Sequence, residues 1–118
     1  MDTMAAHLRY IETGRLKTMD DRLDGAVVLS AVDAVLGTLT GVLIDPLSRR
    51  LSFLVVESRS WFARHHHVVP FDGVQFDRGR NALRVELDAD GLREVRVDRL
   101  ARFSDEDVID AMFTPRAA

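Results

Sequence analysis

The 118-residue sequence contains no cysteine, which excludes a disulfide scaffold, thiolate zinc sites and cysteine nucleophiles. It has no excess of basic residues either, since the net charge is −3 and the pI is near 5.7, and this argues against a dominant nucleic-acid face. No apolar run approaches the roughly 18 residues of a membrane span, and no signal peptide is visible. These absences predict a soluble cytoplasmic protein without a membrane span.

Motifs of catalysis are missing as well. The sequence has no glycine-rich phosphate loop and no serine–histidine arrangement of the kind that a nucleophilic enzyme needs. Asp45 and Asp72 both lie at predicted strand ends, but Asp45 opens the segment D-P-L-S-R-R, where a turn role explains it better. We therefore expect no enzymatic activity and no cofactor.

The strongest pattern that is present runs from residue 34 to residue 70. Its apolar stretches predict three β-strands joined by two turns, at residues 36–44, 51–57 and 64–69. Alternation places Gly37 and Gly41 on the same side of the first strand, where they permit the bend of a barrel strand. Shorter apolar patterns predict three more strands at residues 26–30, 74–77 and 83–87, which makes about six in all.

The flanking segments are less regular. Residues 1–24 are interpreted either as an arm with a short strand or as a partly ordered tail. Residues 25–95 form the domain, and residues 96–118 extend it. Within that extension, a capping box at Ser104 and an apolar stripe predict a short amphipathic helix near residues 104–113 that packs outside the sheet.

The predicted second strand is apolar on both sides. Leu51, Phe53 and Val55 share one face by alternation, whereas Leu54 and Val56 share the other. A strand of this kind must be covered on both faces, and the outer cover is the N-terminal arm, the C-terminal segment or a second copy of the chain. We expect a homodimer in which Leu54 and Val56 take part in the contact. The predicted core residues are Leu39, Leu43, Phe53, Val55, Val74, Phe76, Leu83 and Val85.

Four segments together resemble a PRC-barrel domain: V-L-S at 28–30, L-G-T-L-T-G-V-L-I-D-P at 36–46, L-S-F-L-V-V-E at 51–57 and H-V-V-P-F at 67–71. The family occurs in the photosynthetic reaction-centre H subunit, in a ribosome-maturation factor and in small stand-alone proteins. The resemblance implies a small antiparallel β-barrel that acts as an interaction module without chemistry of its own. The membrane helix of the first relative and the additional barrel of the second have no counterpart in this sequence.

A run of three histidines is the most chemically suggestive string. On a strand, His65 and His67 project from one face roughly 6–7 Å apart, a spacing that can ligate one metal ion. No motif supplies the remaining ligands, so a polar strand face is the simpler interpretation, and we expect no metal.

Trp61 and Phe62 fall at the predicted tip of a hairpin, between Arg59 and Arg64. An exposed tryptophan beside arginine is typical of a binding hot spot, whereas rings folded down over the barrel end would be structural. The sequence predicts that Trp61 and Phe62 contact a partner protein.

Arginines at the turns offer an alternative function. A basic rim made by them would favour association with RNA or the ribosome, although solvated turns in an acidic protein explain them more simply. These residues are Arg49, Arg50, Arg59, Arg64, Arg78 and Arg80.

Overall fold

The fold is a single mainly β structure, described by a computed structural model over residues 7–16, 23–59, 61, 63–77, 79–87, 89–102 and 116–117. Short 3₁₀ turns at Thr13–Arg15, Ala89–Gly91 and Val97–Arg99 accompany the strands. The described residues form nine strands: β1 (Arg9–Glu12), β2 (Val27–Leu29), β3 (Val35–Asp45), β4 (Arg50–Arg59), β5 (Arg64–Pro70), β6 (Gln75–Asp77), β7 (Ala82–Arg84), β8 (Arg93–Val95) and β9 (Arg116–Ala117).

All nine strands belong to one sheet, in the order β8-β5-β4-β3-β2-β7-β6-β9, with β1 paired beside β3. The mainly β prediction is confirmed, but the number of strands is larger than the six expected. The sheet is not closed into a barrel, because no ladder in the described residues joins β8 to β9. The helix predicted near 104–113 lies outside the described residues.

Strand β3 is the centre of the sheet. One of its edges pairs with β4, while the other pairs first with β2 and then, from Gly41 to Ile44, with β1. Segment 9–12 is therefore a strand, which was one of the two interpretations left open for the N-terminal arm. Beyond β2 the sheet continues through a parallel pairing with β7, where Val27 lies opposite Ala82.

The β3–β4 turn forms as the sequence indicates. The Asp45 carboxylate accepts the Leu47 N–H at 3.0 Å, and the Asp45 carbonyl accepts the Arg49 N–H at 2.7 Å. Asp45 thus has the structural role expected of a turn residue.

Two register shifts in the β3–β4 ladder correct the predicted faces. Thr40 and Ser52 each lack a cross-strand partner in that ladder, as in a β-bulge. A bulge reverses alternation, so Leu51 packs on the same side as Leu54 rather than with Phe53. For the same reason Gly37 and Gly41 do not share a face: a Cβ at Gly37 would meet Val56, whereas one at Gly41 would meet the Tyr10 ring.

The sheet buries two hydrophobic clusters, one on each side. The larger lies on the side of Leu54 and Val56, and the smaller on the side of Val55. Seven of the predicted core residues are buried, and Phe53 is half-buried at the edge of the smaller cluster. The larger cluster contains Ile11, Leu16, Leu23, Val28, Leu36, Leu39, Val42, Ile44, Leu51, Leu54, Val56, Val69, Val74, Phe76, Leu83 and Val85.

The smaller cluster shows what covers the second face of β4. It combines Leu43, Val55 and Val68 with Leu8 and Tyr10 of the N-terminal segment. Val95, Val97 and Leu100 of the C-terminal segment pack against it, and the Tyr10 N–H donates to the Ala101 carbonyl at 2.7 Å. Both faces of β4 are thus covered by the chain itself, through the N-terminal and C-terminal segments on this side, so the two-faced strand gives no reason to expect a second copy.

Candidate functional site

Two loops come together at one end of the sheet. Because β2, β3, β4 and β5 are successively antiparallel, the β2–β3 turn (residues 30–34) and the β4–β5 hairpin tip, which carries Trp61, lie at the same end. We call this the tip end, and define it by Val32, Val35, Arg59, Trp61 and Arg64. The β3–β4 turn, which carries Leu47, lies at the opposite end of the sheet.

The β2–β3 turn is held by side-chain hydrogen bonds. The Ser30 hydroxyl accepts the N–H groups of Val32 and Ala34, at 3.2 and 3.1 Å. Asp33 adopts a positive φ of 64° and binds the Arg84 guanidinium through Nε, at 3.0 Å, and through Nη2. These contacts fix the backbone around Val32 while its side chain stays in solvent.

Exposure of large apolar side chains is concentrated at the tip end. Trp61 is 96% exposed, Val32 79% and Val35 70%. The remaining large apolar side chain of comparable exposure in the described residues is Leu47, at the opposite end. Single exposed apolar side chains are ordinary, but three at the same end of a sheet are typical of a contact surface.

A groove lies between the two loops. The β3–β4 ladder begins at the pair Thr38–Glu57, and before that point the strands diverge, because Val35–Gly37 runs with β2 while Ser58–Arg59 stays with β5. The opening is a groove of about 510 Å³, lined by residues 35–38 and 57–59. Its closed end is at Gly37, where an added Cβ would lie 2.3 Å from the Glu57 carbonyl oxygen.

The charges around the groove are only partly balanced. Glu57 lies 3.4 Å from Arg59 Nε and 3.4 Å from His66 Nε2. Arg64, opposite Arg59 in the β4–β5 ladder, is exposed and forms no ion pair with the described residues. It borders a second depression, on the β8 side, rather than the groove itself. Since residues 58–64 contain two arginines and no acid, the hairpin tip is positive on a chain whose net charge is −3.

The histidine run is held by carboxylates from both neighbouring strands. His65 Nδ1 lies 2.8 Å from Glu94 Oε2, and Glu94 stands opposite His67 in the β5–β8 ladder. The hydrogen bond with His65 holds the pKa of Glu94 below its ordinary value. His67 Nδ1 is buried and makes no hydrogen bond within the described residues.

A metal at His65 and His67 finds no further support. Within residues 7–102, apart from the undescribed positions, no three His, Asp or Glu side chains form a group that could hold an ion. The geometry assigns His65 to an interaction with Glu94.

The other predicted site residues are separated by the fold. Leu54 and Val56 are both 0% exposed and lie inside the larger cluster, so neither offers surface to a partner. Trp61 is fully exposed, as a partner-binding residue must be, and Phe62 lies outside the described residues. Val32 and Val35 are not among the sequence predictions. The available signal was Val32 beside Asp33, in a turn that polar residues ordinarily fill.

The arginine turns do not form one rim. Arg50 and Arg59 lie at opposite ends of β4, about 30 Å apart for a ten-residue strand. Arg80 lies 3.6 Å from Asp77, which neutralises part of its charge, and Arg78 lies outside the described residues. A nucleic-acid surface built from these turns would need a phosphate backbone that spans the length of the sheet.

Comparison of the chain with models of known protein families gave no match, and comparison with curated proteins gave none. The resemblance to PRC-barrel domains therefore stays a prediction. No helix in the described part of the chain has the length and apolar character needed to cross a membrane.

Proposed function

We propose that this chain is a non-catalytic protein-interaction module of the PRC-barrel type that binds a partner protein through its tip end. The observation that carries the proposal is that Val32, Val35 and Trp61, all strongly exposed, lie at the same end of the sheet, beside a groove that Val35 lines. The mainly β fold is compatible with the family resemblance, and the family's members act chiefly as interaction modules.

Trp61 is the expected centre of the contact. Tryptophan removes a large apolar area from water and is over-represented among residues that dominate binding energies. Arg59 and Arg64 flank it, and arginine is the charged residue most often enriched at interfaces. The patch is small, which suits a transient partner better than a permanent one.

The proposal is tested by comparing partners recovered by three tagged variants expressed in the native cell. The wild-type chain and Leu47→Ala should retain the same protein after cross-linking, whereas Trp61→Ala should lose it. Leu47 is a matched control because it is equally exposed at the far end of the sheet. With the purified partner, Trp61→Ala should weaken binding about 30-fold, equivalent to about 2 kcal/mol.

Identical recovery by all three variants would place the contact elsewhere on the molecule. Recovery of RNA rather than protein, with loss on substitution of Arg49 and Arg50, would instead support the nucleic-acid alternative.

A further inference from the structure

The divergence of β3 and β4 leaves strand edges that face the groove. In an antiparallel ladder the N–H and C=O of every second residue point to the same neighbour. The backbone groups of Leu39 bond to Gly25 and Ala26 on the β2 side, so those of the preceding Thr38 face Glu57 on β4. The backbone of Arg59, two residues beyond Glu57, is therefore also directed toward the β3 side. In the described residues the β3–β4 ladder does not continue to Arg59.

Polar backbone groups at such an edge favour one kind of occupant. An extended peptide supplies donors and acceptors at the spacing of a strand, and many recognition domains bind peptides in this way. A lipid surface would meet the exposed Trp61 and Val35 but would leave those backbone groups unpaired, which is costly. The groove therefore fits a peptide strand better than a membrane.

The positive charge of the tip end favours peptides that carry acidic side chains. Arg59 and Arg64 stand opposite each other in the β4–β5 ladder, and Glu57, 3.4 Å from Arg59, offsets one of their two charges. Arg64 forms no ion pair with the described residues. A partner segment with carboxylates is thus attracted, and one with lysines is repelled.

We propose that the groove between residues 35–38 and 57–59 binds an extended acidic segment of a partner protein, which adds a short strand to the β4 edge. A bulky apolar side chain of that segment packs against Val35 and Trp61, and its carboxylates meet Arg59 and Arg64. This inference rests on the proposed function, and it adds the class of ligand and the mode of binding.

The test uses defined peptides and the lone tryptophan of the chain as reporter. The acetylated, amidated peptide Glu-Val-Glu-Ile-Glu-Val is titrated into the full-length protein while Trp61 emission is followed. The emission should shift to shorter wavelength and saturate below about 1 mM peptide, and raised salt should weaken the binding. The matched peptide Lys-Val-Lys-Ile-Lys-Val should give no saturating change.

Backbone pairing is tested by N-methylation of the acidic peptide at each position in turn. Methylation removes one donor, and alternate N–H groups of a strand point to opposite sides. The loss of affinity should therefore follow a period of two residues, at about tenfold for the positions that face β4. Equal losses at every position would rule out strand addition.

Charge recognition is tested with two protein variants. Arg64→Glu should lower the affinity for the acidic peptide at least tenfold. Arg50→Glu, at the opposite end of β4, should change that affinity by less than about twofold. Unchanged CD spectra would show that both variants fold.

Several outcomes overturn the proposal. These are equal binding of the acidic and basic peptides, no saturation up to about 1 mM, and a Trp61 shift with phosphatidylglycerol vesicles but with neither peptide. A shift that depends on protein concentration without peptide would identify a second copy as the occupant. If a cellular partner requires Trp61 but is insensitive to Arg64→Glu, the proposed function stands and this inference fails.

Discussion

At the scale of single residues, Gly37 decides how β3 approaches β4. Its φ is +154°, which side-chain-bearing residues rarely adopt, and the Glu57 carbonyl occupies the place where a Cβ would be. We expect Gly37→Val to lower the free energy of unfolding by about 3 kcal/mol, since both strain and overpacking act. Urea denaturation followed by CD measures this.

The control for this substitution is Gly79→Ala. The nearest atom to a Cβ at Gly79 is an Asp77 carboxylate oxygen at 3.6 Å, which is an ordinary contact. A change within about 0.5 kcal/mol is expected there. If Gly37→Val changed the free energy of unfolding as little, β3 and β4 would have to separate readily at that point.

The lowered pKa of Glu94 predicts how its contribution to stability depends on pH. Its pKa is lowered, first by the hydrogen bond with His65. A carboxyl group with a lowered pKa in the folded state adds stability above its ordinary pKa, and that stability is lost as the pH falls through the lower folded value. We expect His65→Asn to return the pKa of Glu94 toward 4.5 in an NMR titration of the carboxyl groups.

Asp98 is the internal control for that titration. Its pKa is also lowered, but chiefly by a hydrogen bond with Arg96. The pKa of Asp98 should therefore be the same in His65→Asn as in the wild type. If the pKa values of Glu94 and Asp98 both changed, the substitution would have altered this edge of the sheet in general rather than one contact.

At the scale of elements, β4 separates the two hydrophobic clusters. Leu54 lies in the larger one with no exposed surface. We expect Leu54→Ala to lower the free energy of unfolding by about 3 kcal/mol, because the cavity adds to the lost burial. Leu47→Ala, fully in solvent, should change it by less than about 0.5 kcal/mol. A loss below about 1 kcal/mol at Leu54 would contradict its placement in the core.

Much of the sheet could be predicted because β2 to β7 carry apolar runs bounded by turn residues such as Asp45. The bulges at Thr40 and Ser52 could not, since a bulge leaves no mark on the sequence and reverses every face beyond it. That is why Leu51 was assigned to the wrong side. Strands β1 (R-Y-I-E) and β8 (R-E-V) carry no alternation of apolar and polar residues, and both depend on long-range pairing.

The candidate site was predicted only in part, for a similar reason. Trp61 stands out in the sequence because of its neighbours Arg59 and Arg64. The groove, however, depends on where the β3–β4 ladder stops, and Val32 and Val35 reach the same end only through the antiparallel order. Such proximity is a property of the fold rather than of any segment.

At the scale of the whole molecule, the chain covers both faces of its central strands. The larger cluster buries Leu54 and Val56, which a second copy was expected to cover. Tyr10, Val97 and Leu100 cover the opposite face. We therefore expect light scattering on a sizing column to give a mass near 13.3 kDa. A mass of twice that value, unaffected by Trp61→Ala, would place a dimer contact away from the tip end.

The parallel pairing of β2 with β7 has a consequence for the order in which the protein is assembled during synthesis. The β3–β4–β5 meander needs only neighbouring residues and can close early, whereas Val27 must wait for Ala82. A chain emerges from its N-terminal side first. During that interval the outer edge of β2 has no partner from its own chain, and it is the strand most open to capture by another nascent chain.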